Sequence, residues 1–286
     1  MTRVAVTGGT GKLGRAAIRE LIQHGYEVVN LDVSRPVSRD CRFMQVDFND
    51  YGQTFESLTF RDVGWDGVDA LVHLAAIPGP YLAPDAHLFR NNTTSTFNVF
   101  HAARAAGIRN IVWASSETIL GVPFETPPTY VPLDEESPAV PNSAYALGKL
   151  LEEQMALQMC RWDCDLKMLG LRFSYVKELD EYWQFPSLHE DPKLQDWNLW
   201  SYVDARDAAQ AVRLALEVEL KGAHSFIIAS PDTVMSRSTA DLMNEHFPAV
   251  PVRGELGEHG SLLSIEKAKG ILGYLPSHTW RDEKLD

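Results

Sequence analysis

Tyr145 and Lys149, four residues apart, carry the most telling chemistry in this chain. On a helix that spacing places both side chains on one face. A free tyrosine has a pKa of about 10 and is a poor base near neutrality. A neighbouring ammonium favours the phenolate and draws it toward working pH, which is what deprotonating an alcohol requires. Lys149 is also long enough to reach a ribose hydroxyl. A Tyr and a Lys at this spacing often coincide by chance, so their surroundings decide. Trp113-Ala-Ser-Ser-Glu-Thr118 brings hydroxyls to the carboxyl end of a predicted strand, where open α/β sheets bind ligands. A hydroxyl there can hold a substrate oxygen against Tyr145.

A second constellation lies near the N-terminus. Thr7-Gly-Gly-Thr-Gly-Lys-Leu-Gly14 follows an apolar strand pattern and runs into a helical one. Gly8 permits a tight turn, Gly11 lets backbone N–H groups approach a pyrophosphate, and Gly14 lets the helix pack closely. The helix N-terminus, at Lys12 and Leu13, offers N–H donors and a positive dipole end to the anion. Asp32, 24 residues after Gly8 at the end of the second strand, suits a ribose 2′-hydroxyl and repels a 2′-phosphate. The expected cofactor is therefore NAD. Arg35, three residues on, is the feature that would admit NADP, or else a solvated loop charge. Asp47-Phe48 ends the third strand, where adenine would sit. Leu74, Ala75 and Ala76 are small or apolar residues after the fourth strand that let a dinucleotide lie across the sheet edge, and Asn91-Asn92 stands near them.

These groups need a frame. Strand patterns at 3–7, 27–32, 43–46, 69–75, 109–115 and 165–172 alternate with helical patterns at 12–24, 89–106 and 143–161. Such alternation predicts an α/β fold: a doubly wound, Rossmann-type parallel sheet with helices on both faces and a small C-terminal substrate-binding lobe. Residues 1–173 read as the nucleotide-binding core. Residues 174–286 read mainly as the smaller lobe, with 201–230 partly returning to the core through a helix at 204–220 and a strand at 225–229. The aromatic stretch 174–200 has no clear period, and a polar tail follows the last strand. Most of its rings are expected in packing, because large aromatics are usually well buried.

Composition narrows the classes. The 286 residues carry 26 Lys+Arg and 39 Asp+Glu, a net charge of −13, which argues against nucleic-acid binding. The longest uncharged run, residues 70–84, holds three prolines and is too short to span a bilayer. No leader precedes the first strand, and Lys284-Leu285-Asp286 is not a retention signal, so a cytoplasmic protein is expected. Cys41, Cys160 and Cys164 fit neither a disulfide framework nor a zinc knuckle, and nine scattered histidines suggest no metal site.

In order along nearly the whole chain come the glycine loop, Asp32, Asp47, His73-Leu-Ala-Ala76, Asn92 to Asn98, and Ser115-Ser116 with Gly121. Tyr145 with Lys149, Leu171-Arg-Phe173, Tyr202-Val-Asp204 and Leu272-Gly-Tyr-Leu-Pro276 follow. In these the chain resembles an extended short-chain dehydrogenase/reductase of the NAD-dependent epimerase/dehydratase family. The resemblance implies Tyr145 as general acid/base, Lys149 tuning it and binding ribose, and Ser116 positioning the substrate, Gly121 fixing that register. It extends the cofactor set to Asn92 and Phe173, and the substrate set to Glu117 and Ser174. It also implies a homodimer through 89–106 and 143–161, with Phe100, Met155 and Met159 available for apolar contact.

Departures bear on substrate. Ser174 stands where nucleotide-sugar enzymes have asparagine, and Leu199-Trp200-Ser201 where they carry an arginine-led segment. The 26 residues between are fewer than theirs. Glu117-Thr118 supplies half of a dehydratase's acidic pair. In size and in Ala114-Ser-Ser116 the chain is closer to short members such as uronate dehydrogenase, and Glu117 would disfavour an acidic substrate. The expected activity is therefore an NAD-dependent oxidoreductase acting on a secondary alcohol of a small sugar or sugar-derived compound. The alternatives are a nucleotide-sugar epimerase, similar to UDP-glucose 4-epimerase with tightly held NAD, and a non-catalytic dinucleotide sensor.

Overall fold

The computed structural model describes residues 1–62, 64–124 and 126–283; the C-terminal tripeptide discussed above lies outside them. The central sheet has seven strands: β1 (Arg3–Thr7), β2 (Glu27–Asp32), β3 (Arg42–Gln45), β4 (Ala70–His73), β5 (Asn110–Ser116), β6 (Lys167–Phe173) and β7 (Gly222–Ile228). Their spatial order is β7-β6-β5-β4-β1-β2-β3, every pairing parallel. The order reverses beside β1, so the crevice at the strands' carboxyl ends opens at Gly8 and Leu74.

Alternation along β1 divides the core. Val4 and Val6 face one side, with α1 (Lys12–Gln23) and the returning helix α5 (Ala205–Glu217). Ala5 faces the other, with α2 (Tyr51–Thr59), α3 (Asp85–Ala105) and α4 (Ala144–Trp162). Ala16, Ala17 and Leu21 of α1 meet Ala208, Ala211, Val212 and Ala215 of α5, small residues that let two helices approach closely. β4 and β6 are buried along their whole length, as strands covered on both faces must be.

The structure departs from the expected elements in three places. Helix α3 starts four residues early, at Asp85, because Pro84 presets an entry backbone and Asp85 complements the helix dipole. Helix α2 was not expected; Asp50 caps it by accepting the Gln53 N–H at 3.0 Å. The polar tail is folded, with helices α6 (Thr239–His246) and α7 (Glu266–Leu272) and with Val234, Met235, Leu242, Leu262 and Ile265 fully or almost fully buried. In the aperiodic stretch, Leu179–Gln184 and three further helical turns bury Tyr182, Phe185 and Trp200, while Trp183 is exposed. Phe100 and Met159 point into the core and are not available for subunit contact; Phe97, Leu147, Leu151, Leu157 and Trp162 are the large apolar residues that α3 and α4 expose.

Candidate active site

The glycine loop is built as a close-packed cradle. Gly8 has φ +68°, and a Cβ there would lie 2.6 Å from the Ala75 nitrogen; at Gly14 a Cβ would lie 2.2 Å from the Gly8 carbonyl oxygen. Gly14 thus packs against the loop itself. Gly9, not singled out from sequence, is equally constrained, its Cβ position being 2.3 Å from Asn30 Oδ1. Gly11 is different: its backbone is extended and open, with one neighbour at 3.3 Å. Helix α1 starts there with no side-chain cap and no acid in its first turn, leaving the N–H groups at Lys12 and Leu13 to an anion.

Asp32, nearly buried, accepts the Thr10 N–H at 2.9 Å and the Ser34 N–H at 3.0 Å, which fixes its carboxylate beside the loop. Arg35 is exposed. Asp47 is exposed and accepts the Asn49 N–H, while Phe48 is buried and its carbonyl accepts from Asn98. Leu74, Ala75 and Ala76 are half-buried at the sheet edge. The Asn92 amide is spent on the backbone of Ile77, donating at 3.0 Å and accepting at 2.9 Å, so it holds that edge loop in place. The Lys12 ammonium reaches across to Glu181 (2.6 Å) and the Val176 carbonyl, and Arg15 pairs with Glu178. These pairs tie the phosphate loop's helix to the segment after β6.

Strand β5 and helix α4 bring Ser116, Tyr145 and Lys149 together. Ser143, two residues before Tyr145, caps α4 by accepting the Ala146 N–H. Ser116, at the end of β5, accepts from both the N–H and the hydroxyl of Thr118, so its own proton is directed to the Tyr145 oxygen, where it lowers that phenol's pKa. Lys149 lies with its ammonium 5.8 Å from the centre of the Tyr145 ring. Its Nζ donates to the Ala114 carbonyl at 2.8 Å and to Glu152 at 2.9 Å.

The expected depression of the phenol is not the net outcome. Burial raises the Tyr145 pKa; Lys149 and Ser116 pull it back, while Glu152 and Glu117 push it further up. Burial is the largest cause, and the neighbour not foreseen was Glu152, fully buried on the lysine. Its position three residues after Lys149 was the available signal.

Glu117 is buried, and burial pushes its pKa up to about 7 against the pull of Ser174 and Asn198. Asn198 donates to it at 3.1 Å. Ser174 lies alongside, in a geometry that leaves its Oγ and Glu117 Oε2 without a well-directed bond. No sequence signal marked Asn198. It is held by Leu199 and Trp200, two consecutive residues at φ +59° and +55°, a conformation costly for side chains of this size. Phe173, buried, ends β6 beside this group. Cations near the carboxyl edge are committed: Arg172 is bidentate on Glu153, and Lys177 donates to Gln184 and lies 4.1 Å from the Tyr175 ring centre. All three cysteines are free, and among the described residues no cluster suits a metal ion. No described helix is long and apolar enough to cross a membrane.

A model of the NAD dependent epimerase/dehydratase family matches residues 4–176, well over half the chain. The chain belongs to that family. Among its relatives, a UDP-glucose 4-epimerase of Corynebacterium glutamicum is 26% identical over 97% of this chain and 92% of its own length. An L-arabinose 1-dehydrogenase (NAD(P)(+)) of Haloferax volcanii is 27% identical over 82% of this chain and 92% of its own. In fold, a short-chain dehydrogenase/reductase superfamily protein from Agrobacterium tumefaciens, solved with bound NAD, superposes with a TM-score of 0.74 at 22% identity, covering 98% of this chain and 94% of that one. The family thus includes both epimerases and dehydrogenases among this chain's relatives.

Proposed function

We propose that this protein is an NAD-dependent oxidoreductase acting on a secondary alcohol of a small neutral sugar or sugar-derived compound. The observation that carries the reading is the convergence of Ser116, Tyr145 and Lys149 at the carboxyl ends of β5 and β6, beside the cradle that Gly8, Gly11 and Gly14 form. The uncapped start of α1 and the fixed Asp32 carboxylate fit a dinucleotide with a free ribose 2′-hydroxyl. Gly8, Gly11, the N–H groups of Lys12 and Leu13, Asp32, and the edge at Leu74, Ala75 and Ala76 would hold it. Asp47 and Phe48 would border adenine, Asn92 would act through its hold on Ile77, and Phe173 would close the nicotinamide end. Arg35, exposed, leaves room for NADP. NAD supplies the hydride acceptor.

Lys149 stabilises the phenolate form of Tyr145, Ser116 holds the substrate hydroxyl against it, and the phenolate takes the hydroxyl proton and becomes the phenol. Residues 174–283, apart from the helix and strand that return to the sheet, would cover the substrate. Buried Glu117 and Ser174, just past the ends of β5 and β6, with Arg172 and Lys177 already partnered, suit an uncharged polyhydroxylated molecule better than a diphosphate. Phe97, Leu147, Leu151 and Leu157 support a homodimer through α3 and α4.

Epimerase chemistry is the second reading, favoured by the names of most of the curated relatives, UDP-glucose 4-epimerase among them. Absorbance at the NADH band, with NAD or NADP and a panel of sugars, sugar acids and polyols, separates the two. A substrate-dependent rise, lowered about 10²–10⁴-fold in Tyr145→Phe, is expected. Interconversion of nucleotide-sugars without net NADH would replace this reading with the epimerase. Full turnover in Tyr145→Phe would remove Tyr145 from the chemistry.

A further inference from the structure

Lys149 and Lys167 are both buried and have opposite surroundings. Lys167 is held by three backbone carbonyls, of Ala215, Leu216 and Val218, at 2.8 to 3.0 Å. With no carboxylate beside it, burial drives its pKa down to about 8. Lys149 has a single carbonyl, of Ala114, and Glu152. Burial opposes its charge too, yet Glu152 first, with Tyr145 and Glu153, outweighs it, and its pKa is raised.

We propose that Glu152 is a positioning residue for the reaction: its carboxylate, 2.9 Å from Lys149 Nζ and fully buried, holds that lysine charged and fixed between β5 and α4. The proposal rests on the reading of Tyr145 and Lys149 as the working pair. The helix alone does not hold Glu152. The Thr7 hydroxyl accepts the N–H groups of Leu74 and Ala75, so its proton goes to His73 Nδ1, at 2.7 Å. His73 is buried and neutral, its pKa lowered to about 3 by burial and by Lys149. Its proton therefore sits on Nε2 and is donated to Thr96 Oγ1 at 3.1 Å. Thr96 then has its own proton free for Glu152; burial raises the Glu152 pKa, Lys149 and Thr96 pull it back, and Oε1 keeps no well-directed bond. A line of side chains thus runs from the strand end before the glycine loop, across β4 and α3, to the lysine.

The charged groups facing this pair are few. Tyr145 and Glu153 lie on α4, Glu117 reaches Tyr145 from the turn after β5, and His73 faces Lys149 from β4. Glu153 does not compete for the lysine, being bidentate on Arg172 and accepting from Ser115. Removing the Glu152 charge takes away the carboxylate bonded to Lys149 and leaves its burial opposed only by Tyr145 and Glu153.

The test follows the side-chain carbons of ¹³C-lysine by NMR across pH, assigning Lys149 by loss of its signal in Lys149→Met. It needs no substrate and no turnover, so it stands apart from the test of Tyr145. In Glu152→Gln the Lys149 midpoint is expected to fall toward that of Lys167, and Glu152→Met, read in the same way, guards against a folding failure of the first. Glu152→Asp, which keeps the charge on a shorter stem, is expected between them. An unchanged Lys149 midpoint in the Gln and Met variants overturns the proposal, and so does a fall in melting temperature with no change in that midpoint.

Discussion

Gly11→Ala separates what the fold needs from what a bound pyrophosphate needs. At Gly11 the backbone has φ −69° and ψ 171°, which alanine adopts without strain. The added methyl meets only the Gly8 carbonyl oxygen at 3.3 Å, a contact relieved by a few tenths of an ångström. Reduced freedom of the unfolded chain offsets that, by about 0.4–1 kcal/mol in favourable cases. Stability should therefore stay within about 1 kcal/mol of the parent, or roughly 2–4 °C in Tm for a chain near this size. Gly14→Ala is the control, because its methyl would stand 2.2 Å from the Gly8 oxygen and 2.6 Å from the Gly9 Cα. Backbone must move there, at a cost of about 1–3 kcal/mol.

If the pyrophosphate lies over Gly11, the added methyl intrudes on it. Gly11→Ala should then weaken NAD binding tenfold or more, about 1.4 kcal/mol, with its melting curve almost unmoved. Calorimetric titration with NAD beside urea denaturation reads both quantities. Parental affinity in Gly11→Ala would refute the placement of the anion at the start of α1.

Further outcomes follow from the same residues. Glu117 has its pKa raised from 4.5 to about 7 by burial, so the folded state holds its proton more tightly than the unfolded one. Its contribution to stability is full below pH 4.5 and is lost as pH rises toward 7. Glu117→Gln should then be more stable than the parent at pH 8, by up to about 3 kcal/mol, and equal to it at pH 4; a difference independent of pH in denaturant titrations would contradict this. Lys12 and Glu181, a third and a quarter exposed, should contribute less than about 1 kcal/mol to stability. Lys12→Met should accordingly leave the urea midpoint close to the parent's, and a large drop would mean that this cross-link holds the fold together.

Much of the frame was legible because periodicity and turn chemistry agreed. The strands at 3–7 and 27–32 and the glycine loop fall where the pattern put them, and so does Tyr145, two residues past a capping serine. Helix α2 was missed because its nine residues show no strong apolar stripe. The last fifty residues were misread because their buried positions are spread through loops, with no period to betray them. Within the site, the groups along the chain were legible and their tuning was not. Glu152 looked like one of several helix acids, and only the packing of α4 on β5 shows that it is sealed onto Lys149. Asn198 reaches Glu117 across 81 residues of sequence, a contact that no local pattern encodes. The phenol's net upward shift is likewise a sum over burial and four neighbours, of which sequence displayed one.

The strand order also constrains how the chain can be made or cut. β6, buried at all seven positions, pairs with β5 on one side and on the other with β7, which begins 49 residues after β6 ends. Until residue 228 has been synthesised, that apolar strand is a sheet edge with open N–H and carbonyl groups, the kind of surface on which chains associate with one another. A fragment stopped at residue 173 would carry the whole dinucleotide cradle and Tyr145. It would also expose β6 permanently, and it should aggregate where the full chain stays in solution.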